Sequence, residues 1–255
     1  MLILLPPSEG KRAPARGKRL DLATLTFPAL AEARAAVLDE LVARCRDTPE
    51  EMLAVLRLSA GQAEEVTRNA ALEGAATARA DTIYTGVLYD ALGLSGLDAA
   101  ARRRATRRVL IFSGLFGVVG PSDRIPAYRL SGPVKLPDLG GVARHWSRNL
   151  AEPMHDAAGD GLVVDLRSGA YTPFWRPARE RADRVATVRV LHEQDGQRSV
   201  VSHFNKATKG RIVRSLLQDG GTPRHSRALA EQLQDLGWHV EQQADQLDVV
   251  VQSLT

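Results

Sequence analysis

The length and composition of the chain limit the class of protein it can be. Its 255 residues are 44% apolar and 25% charged, which allows a substantial hydrophobic core and excludes global disorder. The formal net charge of +4 is small for this length, so it allows a polyanionic partner without requiring one. The single cysteine, Cys45, excludes an internal disulfide and fits a reducing compartment.

Two further features bear on location. No stretch of the sequence approaches about 18 consecutive apolar residues, the length that a membrane-spanning helix needs. The N-terminus begins with an apolar run and lacks the basic segment and cleavage site of a signal peptide. We therefore expect a cytoplasmic protein with no membrane partner.

Helix and strand patterns alternate along the chain. Short apolar runs predict strands at 2–5, 109–112, 162–166, 238–241 and 247–251, with a hairpin of 186–192 and 199–203 around Asp195-Gly196. Amphipathic periodicity and N-cap signals predict helices at about 29–46, from Thr48-Pro49 onward, and at 60–72, 98–107, 142–157, 206–217 and 222–236. This order predicts an α/β protein of the mixed α+β kind, in which residues 1–255 form a single compact domain with a mixed sheet flanked by helices.

The most informative segment is the loop from Ser113 to Arg129, which begins where a predicted strand ends. It contains three glycines and two prolines and has no helical or strand periodicity. Glycine lets the backbone come close to a ligand, and loops at strand ends often carry sites in α/β proteins. A purely structural crossover loop is the alternative.

The loop at 6–11 combines a hydroxyl, a carboxylate and an ammonium group after the first predicted strand. Gly10-Lys11 suggests a P-loop, but Leu5 stands where that motif needs its first glycine, and Arg12 replaces the Ser or Thr that binds magnesium. The loop is therefore either a different kind of site or an ordinary solvated loop.

The segment from Tyr84 to Asp90 places two tyrosines around a glycine in an otherwise apolar stretch. The apolar residues suit a core. Tyr89 could instead hold its phenol against a ligand, and both interpretations stay open.

A fourth such segment runs from Ser202 to Arg211. With Asn205 as an N-cap, Lys206, Lys209 and Arg211 would fall in the first two turns of a helix, where the helix dipole disfavours cations. An anionic partner would compensate for this, and a solvated basic face is the alternative. The arginine run 102–108 needs no such partner, because it lies at a predicted helix C-terminus, which favours cations.

The sequence predicts no bound metal and no cofactor. The six histidines and Cys45 lack the spacing of metal ligands. The Gly-x-Ser-x-Gly and Gly-x-Gly-x-x-Gly motifs of hydrolases and dinucleotide-binding proteins are absent as well.

Taken together, the segments 4–11, 84–90, 113–117 with 126–130, and 205–211 resemble the YaaA family of peroxide stress proteins. The first segment departs from members that carry Ser-Pro-Ala-Lys there, so Lys11 would take the lysine position one or two residues later. The resemblance implies a YaaA-like α/β domain with a basic cleft, a cytoplasmic location and a role in limiting oxidative DNA damage. It also implies DNA binding through a helix–hairpin–helix-like element. The loop 114–120 is the candidate for that hairpin, although the usual Pro-Gly-hydrophobic-Gly pattern is absent.

Two functions follow as hypotheses. The first is a peroxide stress protein that binds nucleic acid through its basic cleft. The second is an enzyme acting on a small anionic or nucleotide-like substrate in a pocket lined by Lys, Tyr and Arg, with Tyr89 and Lys206 as acid or base. The residues predicted to bind the ligand or the DNA are Ser8, Lys11, Tyr84, Gly114, Gly117, Tyr128, Arg129, Lys209 and Arg211. An open groove would favour DNA, and a cavity of a few hundred cubic ångströms would favour the small substrate.

Overall fold

A mixed eight-stranded sheet is the main feature of the computed structural model, which describes residues 1–194, 197–199 and 202–252. Two small two-stranded sheets accompany it. The strands are β1 (Leu2–Leu5), β2 (Ala78–Arg79), β3 (Val109–Ser113), β4 (Gly117–Val119), β5 (Arg124–Ile125), β6 (Lys135–Leu136), β7 (Gly140–Gly141), β8 (Val163–Asp165), β9 (Val185–Gln194), β10 (Gln197–Ser199), β11 (His239–Gln243) and β12 (Gln246–Val251).

Helices precede or follow most of these strands, which gives the mixed α/β fold that the sequence predicts. The helices are α1 (Ala31–Asp47), α2 (Pro49–Val55), α3 (Ala63–Ala70), α4 (Ala80–Ile83), α5 (Val87–Leu92), α6 (Ala99–Arg108), α7 (Val142–Asn149), α8 (Ala151–Ala158), α9 (Ser202–Asp219) and α10 (Ser226–Asp235). Among the helices of the described residues, none is both long enough and apolar enough to cross a membrane.

The strand order of the main sheet is β11-β12-β9-β8-β1-β3-β4, with β10 paired to β9. The central strands β12, β9, β8, β1 and β3 are parallel, while β4, β10 and β11 pair antiparallel to their neighbours. All four residues of β1 are buried, as expected for a parallel strand inside a sheet that is covered on both faces.

The strand order reverses direction between β1 and β8. From β1 the chain goes to β3 on one side, whereas from β8 it goes to β9 on the other side. In parallel α/β sheets, such a reversal leaves a crevice at the carboxyl ends of the two strands, where ligands bind. Here that crevice lies beyond Leu5 and Asp165, and the backbone N–H of Leu166 still donates to the carbonyl oxygen of Leu4 at 3.0 Å.

The predicted helix at 142–157 is two helices, α7 and α8, which is a correction. Pro153 has no N–H, so it cannot donate to the carbonyl oxygen of Asn149 and a single continuous helix loses a bond there. In the first turn of α8 the missing donor costs little, because N–H groups there have no acceptor within the helix.

The predicted hairpin is also corrected. Strand β9 is longer than predicted and pairs with the short β10, while Ser202 and His203 belong to helix α9 rather than to a strand. The turn residues Asp195 and Gly196 lie outside the described residues. Because α9 begins at Ser202, Asn205 is inside the helix and is not its N-cap.

Candidate functional site

A cavity of about 360 Å³ lies at the carboxyl ends of β1 and β8. Its wall comes from three segments that are far apart in sequence: the loop after β1, the start of α5, and the loop after β8. Helix α9 adds Lys206. Most of the wall is apolar, and the lining residues that matter below are Pro6, Pro7, Ser8, Glu9, Gly10, Val87, Tyr89, Ser168, Ala170, Tyr171 and Lys206.

The loop after β1 is fixed by hydrogen bonds to the segment that leads into α5. The Ser8 hydroxyl donates to the carbonyl oxygen of Gly10 at 2.5 Å and accepts from the backbone N–H of Thr85 at 3.1 Å. Lys11 and Tyr84 form an antiparallel β-bridge next to this contact. Ser8 therefore shapes the cavity wall as well as lining it.

The Lys11 side chain turns toward the core. Its ammonium group donates to the carbonyl oxygen of Ser8 at 2.8 Å and to that of Glu9 at 3.4 Å, and it lies 4.3 Å from the centre of the Tyr128 ring. Burial lowers the pKa of Lys11 to about 8. Lys11 is not among the residues that line the cavity described here.

Tyr84 and Tyr128 belong to a buried chain of hydroxyl groups. The two phenol oxygens are 3.0 Å apart, and the Tyr128 oxygen is 2.6 Å from Ser113 Oγ, which accepts from the backbone N–H of Phe116. Burial raises the pKa of Tyr84 to about 12 and that of Tyr128 well above 10. Both phenols therefore stay neutral in the core, and their packing gives them a structural role.

Tyr89 lines the cavity with its ring. It stacks on Tyr84 with the ring centres 5.4 Å apart, and its hydroxyl donates to the carbonyl oxygen of Pro6 at 2.7 Å. Burial raises the pKa of Tyr89 well above its ordinary value of 10. A phenol held in this way favours a wall residue over an acid or base.

The Arg129 side chain contacts the loop after β1. Its guanidinium contacts the Glu9 carboxylate at 3.1 Å and the Glu9 carbonyl oxygen at 3.4 Å. The Arg129 backbone is anchored on α3, where the buried Asn69 side chain accepts from its N–H at 2.9 Å and donates to its carbonyl oxygen at 2.7 Å. Arg129 thus neutralises the carboxylate of the loop that lines the cavity.

Lys209 contacts the other loop. Its ammonium group donates to the carbonyl oxygen of Leu166, the residue after β8, at 3.0 Å. Burial lowers the pKa of Lys209, and attraction to Asp165 partly offsets this. Arg167 fixes the same loop through two hydrogen bonds to the Asp165 carboxylate, at 2.9 and 2.6 Å, and one to the carbonyl oxygen of Trp175 at 2.9 Å.

Lys206 is the predicted cation that faces the cavity. It is exposed, and among the residues that the structure describes it has no ion-pair partner. Arg211 lies further along α9 and is not among the lining residues. Since α9 begins at Ser202, all three cations lie beyond its first turn, so the dipole argument for an anion does not hold.

Gly114 and Gly117, which the sequence assigns to ligand or DNA binding, are buried in the tight β3–β4 hairpin. A Cβ on Gly114 would lie 2.3 Å from the carbonyl oxygen of Leu130. Gly117 has φ of +71° and packs against the Trp146 ring. The helix–hairpin–helix-like element that the resemblance implies is not formed by these residues, because strands flank the turn.

Sequence reasoning missed the loop after β8, which contributes Ser168, Ala170 and Tyr171 to the cavity. A signal was present: a Ser-Gly-Ala run follows a predicted strand, and the carboxyl ends of parallel strands meet at one sheet edge. The wall residues Pro6 and Pro7 belong to the loop 6–11, which the sequence marks as a possible site, but they are not among the residues predicted to bind the ligand.

Comparison with known proteins shows the family to which the chain belongs. The family model described as "Peroxide stress protein YaaA" matches residues 1–244. A UPF0246 protein of Streptomyces coelicolor is 56% identical over 96% of this chain and 93% of its own length. UPF0246 proteins of Corynebacterium glutamicum and Corynebacterium efficiens are 42% and 40% identical, over 85% and 91% of this chain and 84% and 89% of their own lengths. The chain therefore belongs to the YaaA family of peroxide stress proteins.

Proposed function

We propose that this cytoplasmic member of the family acts in peroxide stress through a small anionic organic molecule that binds in the cavity between β1 and β8. The observation that carries the proposal is the exposed Lys206 ammonium group in an otherwise mainly apolar cavity at the reversal of strand order. A volume of about 360 Å³ is in the range of small-molecule sites.

The charges around the cavity favour an anion. Glu9 is the carboxylate among the lining residues, and its negative charge is balanced by Arg129 at 3.1 Å. Lys206 has no such counter-charge among the described residues, so its positive charge is available to a ligand. The apolar surfaces of Pro7 and Val87 favour an organic body next to the anionic group.

The alternative proposal is direct DNA binding through a basic cleft, with protection of the bound DNA from oxidative damage. Phosphate contacts require accessible donors. Of the residues assigned to such a cleft, Tyr84, Tyr128, Gly114 and Gly117 are buried. The small-ligand proposal does not depend on these four residues, because none of them lines the cavity.

Thermal denaturation with added ligand, beside duplex titrations, separates the two proposals. We expect AMP to raise the melting temperature of the wild type and of K135A, which removes an exposed lysine on β6. K206A should lose most of that shift, because the anion loses its counter-charge. A complementation assay with peroxide challenge should then rank K206A below K135A.

Duplex binding is measured at about 50 mM and about 200 mM salt, because phosphate contacts make affinity fall steeply over that range. Strong duplex binding with this salt dependence, together with no effect of AMP or of other small anions, would refute the small-ligand proposal and support direct DNA binding.

A further inference from the structure

Three cations bind backbone carbonyl groups of the two loops at the cavity. Lys11 and Arg129 contact the carbonyl oxygens of Ser8 and Glu9, and Lys209 contacts that of Leu166. None of the three lines the cavity described here. They contact the backbone of the loops from outside the cavity.

This arrangement determines where the peptide N–H groups of the first loop point. A peptide unit is planar and trans, so the carbonyl of one residue and the N–H of the next point in opposite directions. Because the Ser8 carbonyl points to Lys11, the N–H of Glu9 points away from Lys11. The N–H of Gly10 likewise points away from Arg129. Neither N–H has an acceptor among the described residues, and both residues line the cavity.

In the loop after β8, backbone N–H groups rather than cations bind the carbonyl oxygen that orients the next peptide unit. The Ser168 carbonyl oxygen accepts from the backbone N–H groups of Tyr171 at 2.9 Å and Thr172 at 3.2 Å. The N–H of Gly169 therefore points the other way. Neither it nor the N–H of Ala170 has an acceptor within the described part of the chain. Ser168 and Ala170 line the cavity, whereas Gly169 does not.

We infer that the N–H groups of Glu9, Gly10 and Ala170, with the Lys206 ammonium group, form a binding site for the phosphate group of a phosphate monoester with an apolar body. This assignment rests on the proposed function and specifies its ligand class. Successive free N–H groups bind anions in many phosphate sites, and the number of donors suits the three terminal oxygens of a phosphate better than the two oxygens of a carboxylate. The apolar body lies against Pro7, Val87 and Tyr171.

Lys11 and Arg129 are positioning residues in this account. By binding the carbonyl oxygens of Ser8 and Glu9, they fix the peptide units that carry the N–H groups of Glu9 and Gly10. Lys209 binds the carbonyl oxygen of Leu166 instead, and the N–H that follows it, that of Arg167, donates to Asp165. Lys11 is the most informative to change, because it makes two of these bonds.

The first test is an NMR titration of the protein with inorganic phosphate, followed through its backbone amide resonances. We expect the largest shifts at Glu9, Gly10 and Ala170. Shifts elsewhere, or no shifts while the carboxylate benzoate still stabilises the wild type and not K206A, would overturn the phosphate site and leave the proposed function intact. No response to any small anion would overturn both.

The second test is calorimetric titration with phenyl phosphate, benzoate and phenol. Phenyl phosphate should bind more tightly than the other two. K11M keeps the apolar stem of the lysine and removes its ammonium group, and it should weaken phenyl phosphate binding by about tenfold while leaving phenol binding unchanged. Equal loss for phenol would indicate a general structural defect and contradict the positioning role. K135M is the matched control, and we expect it to bind all three compounds like the wild type.

Discussion

The ammonium group of Lys11 donates to the carbonyl oxygen of Ser8 at 2.8 Å, on the side of the loop where the Tyr128 ring lies. A basic residue that the sequence places in a ligand-binding loop thus stabilises the loop backbone. The same relationship recurs between Lys209 and Leu166. It makes the loops and Lys206, rather than Lys11 and Lys209, the surfaces that a ligand would contact.

The half-buried position of Lys11 predicts an increase in stability with pH. Its folded-state pKa is about 8, below the ordinary lysine value of 10.5, so above pH 8 the unfolded chain binds more protons than the folded protein. Stability from this group therefore rises between pH 8 and about 10.5. Urea unfolding should show the wild type gaining stability relative to K11M over that range.

The groups that face Lys11 are Glu9, Glu65, Arg68 and Arg129, with the Tyr84 and Tyr128 rings. K11M retains all of them, so their own titration cancels in the comparison. A difference between wild type and K11M that is constant or shrinks as pH rises would contradict the burial of the ammonium group.

Arg34 is predicted to be a main stabilising residue of the fold. It is fully buried, and its guanidinium donates to the carbonyl oxygens of Thr26 at 2.6 Å, Val118 at 2.9 Å and Phe116 at 3.1 Å. R34M leaves these acceptors without donors and should lower the free energy of unfolding by about 3 kcal/mol or more. The exposed control R107A should change it by less than about 0.5 kcal/mol. Denaturant curves that overlap for the two variants would refute this role.

Gly210 is predicted to set the distance between α5 and α9. A Cβ at this position would lie 2.2 Å from the carbonyl oxygen of Leu88 and 2.9 Å from the N–H nitrogen of Leu92. G210A should therefore cost about 1–3 kcal/mol and reduce ligand binding, since α9 carries Lys206. G74A is the control, because its Cβ would meet no atom within 4 Å. A fully stable G210A would show that the two helices separate at little cost.

Tyr89 is predicted to be dispensable for chemistry. Y89F keeps the ring stacked on Tyr84 and removes one hydrogen bond to Pro6, so it should cost about 1 kcal/mol in stability and leave ligand affinity within about twofold. Thermal melts and the AMP titration measure both effects. If the protein proves to be an enzyme, a rate loss of about a hundredfold or more in Y89F would show that Tyr89 acts as a catalytic acid or base.

Much of the fold is predictable from local sequence. The apolar runs at 2–5 and 109–112 predict buried strands, and both form central parallel strands because nothing polar interrupts them. Asp98 predicts the start of α6, and its side chain accepts from the N–H of Ala101. Two errors have physical causes as well: Pro153 divides a helix, and α9 begins before the residue expected to cap it.

The site is predictable only in part. Ser8, Tyr89 and Lys206 meet at one cavity because the chain brings the ends of β1 and β8 together. The direction of the Lys11 side chain depends on the Tyr84 bridge and the Tyr128 ring, which lie 73 and 117 residues away in sequence (84 − 11 and 128 − 11). Such long-range packing leaves no local pattern. For the same reason, the sequence identifies the basic residues of the motifs but does not show which way their side chains point.

The central claim, that the cavity between β1 and β8 is the ligand site, is tested most directly by a crystal structure of the protein with phenyl phosphate. The account predicts the phosphate group between the 8–10 and 168–170 loops, next to Lys206, with the phenyl ring against Pro7 and Tyr171. Phenyl phosphate bound instead at the arginines of α6, with the cavity between the two loops left empty, would contradict it.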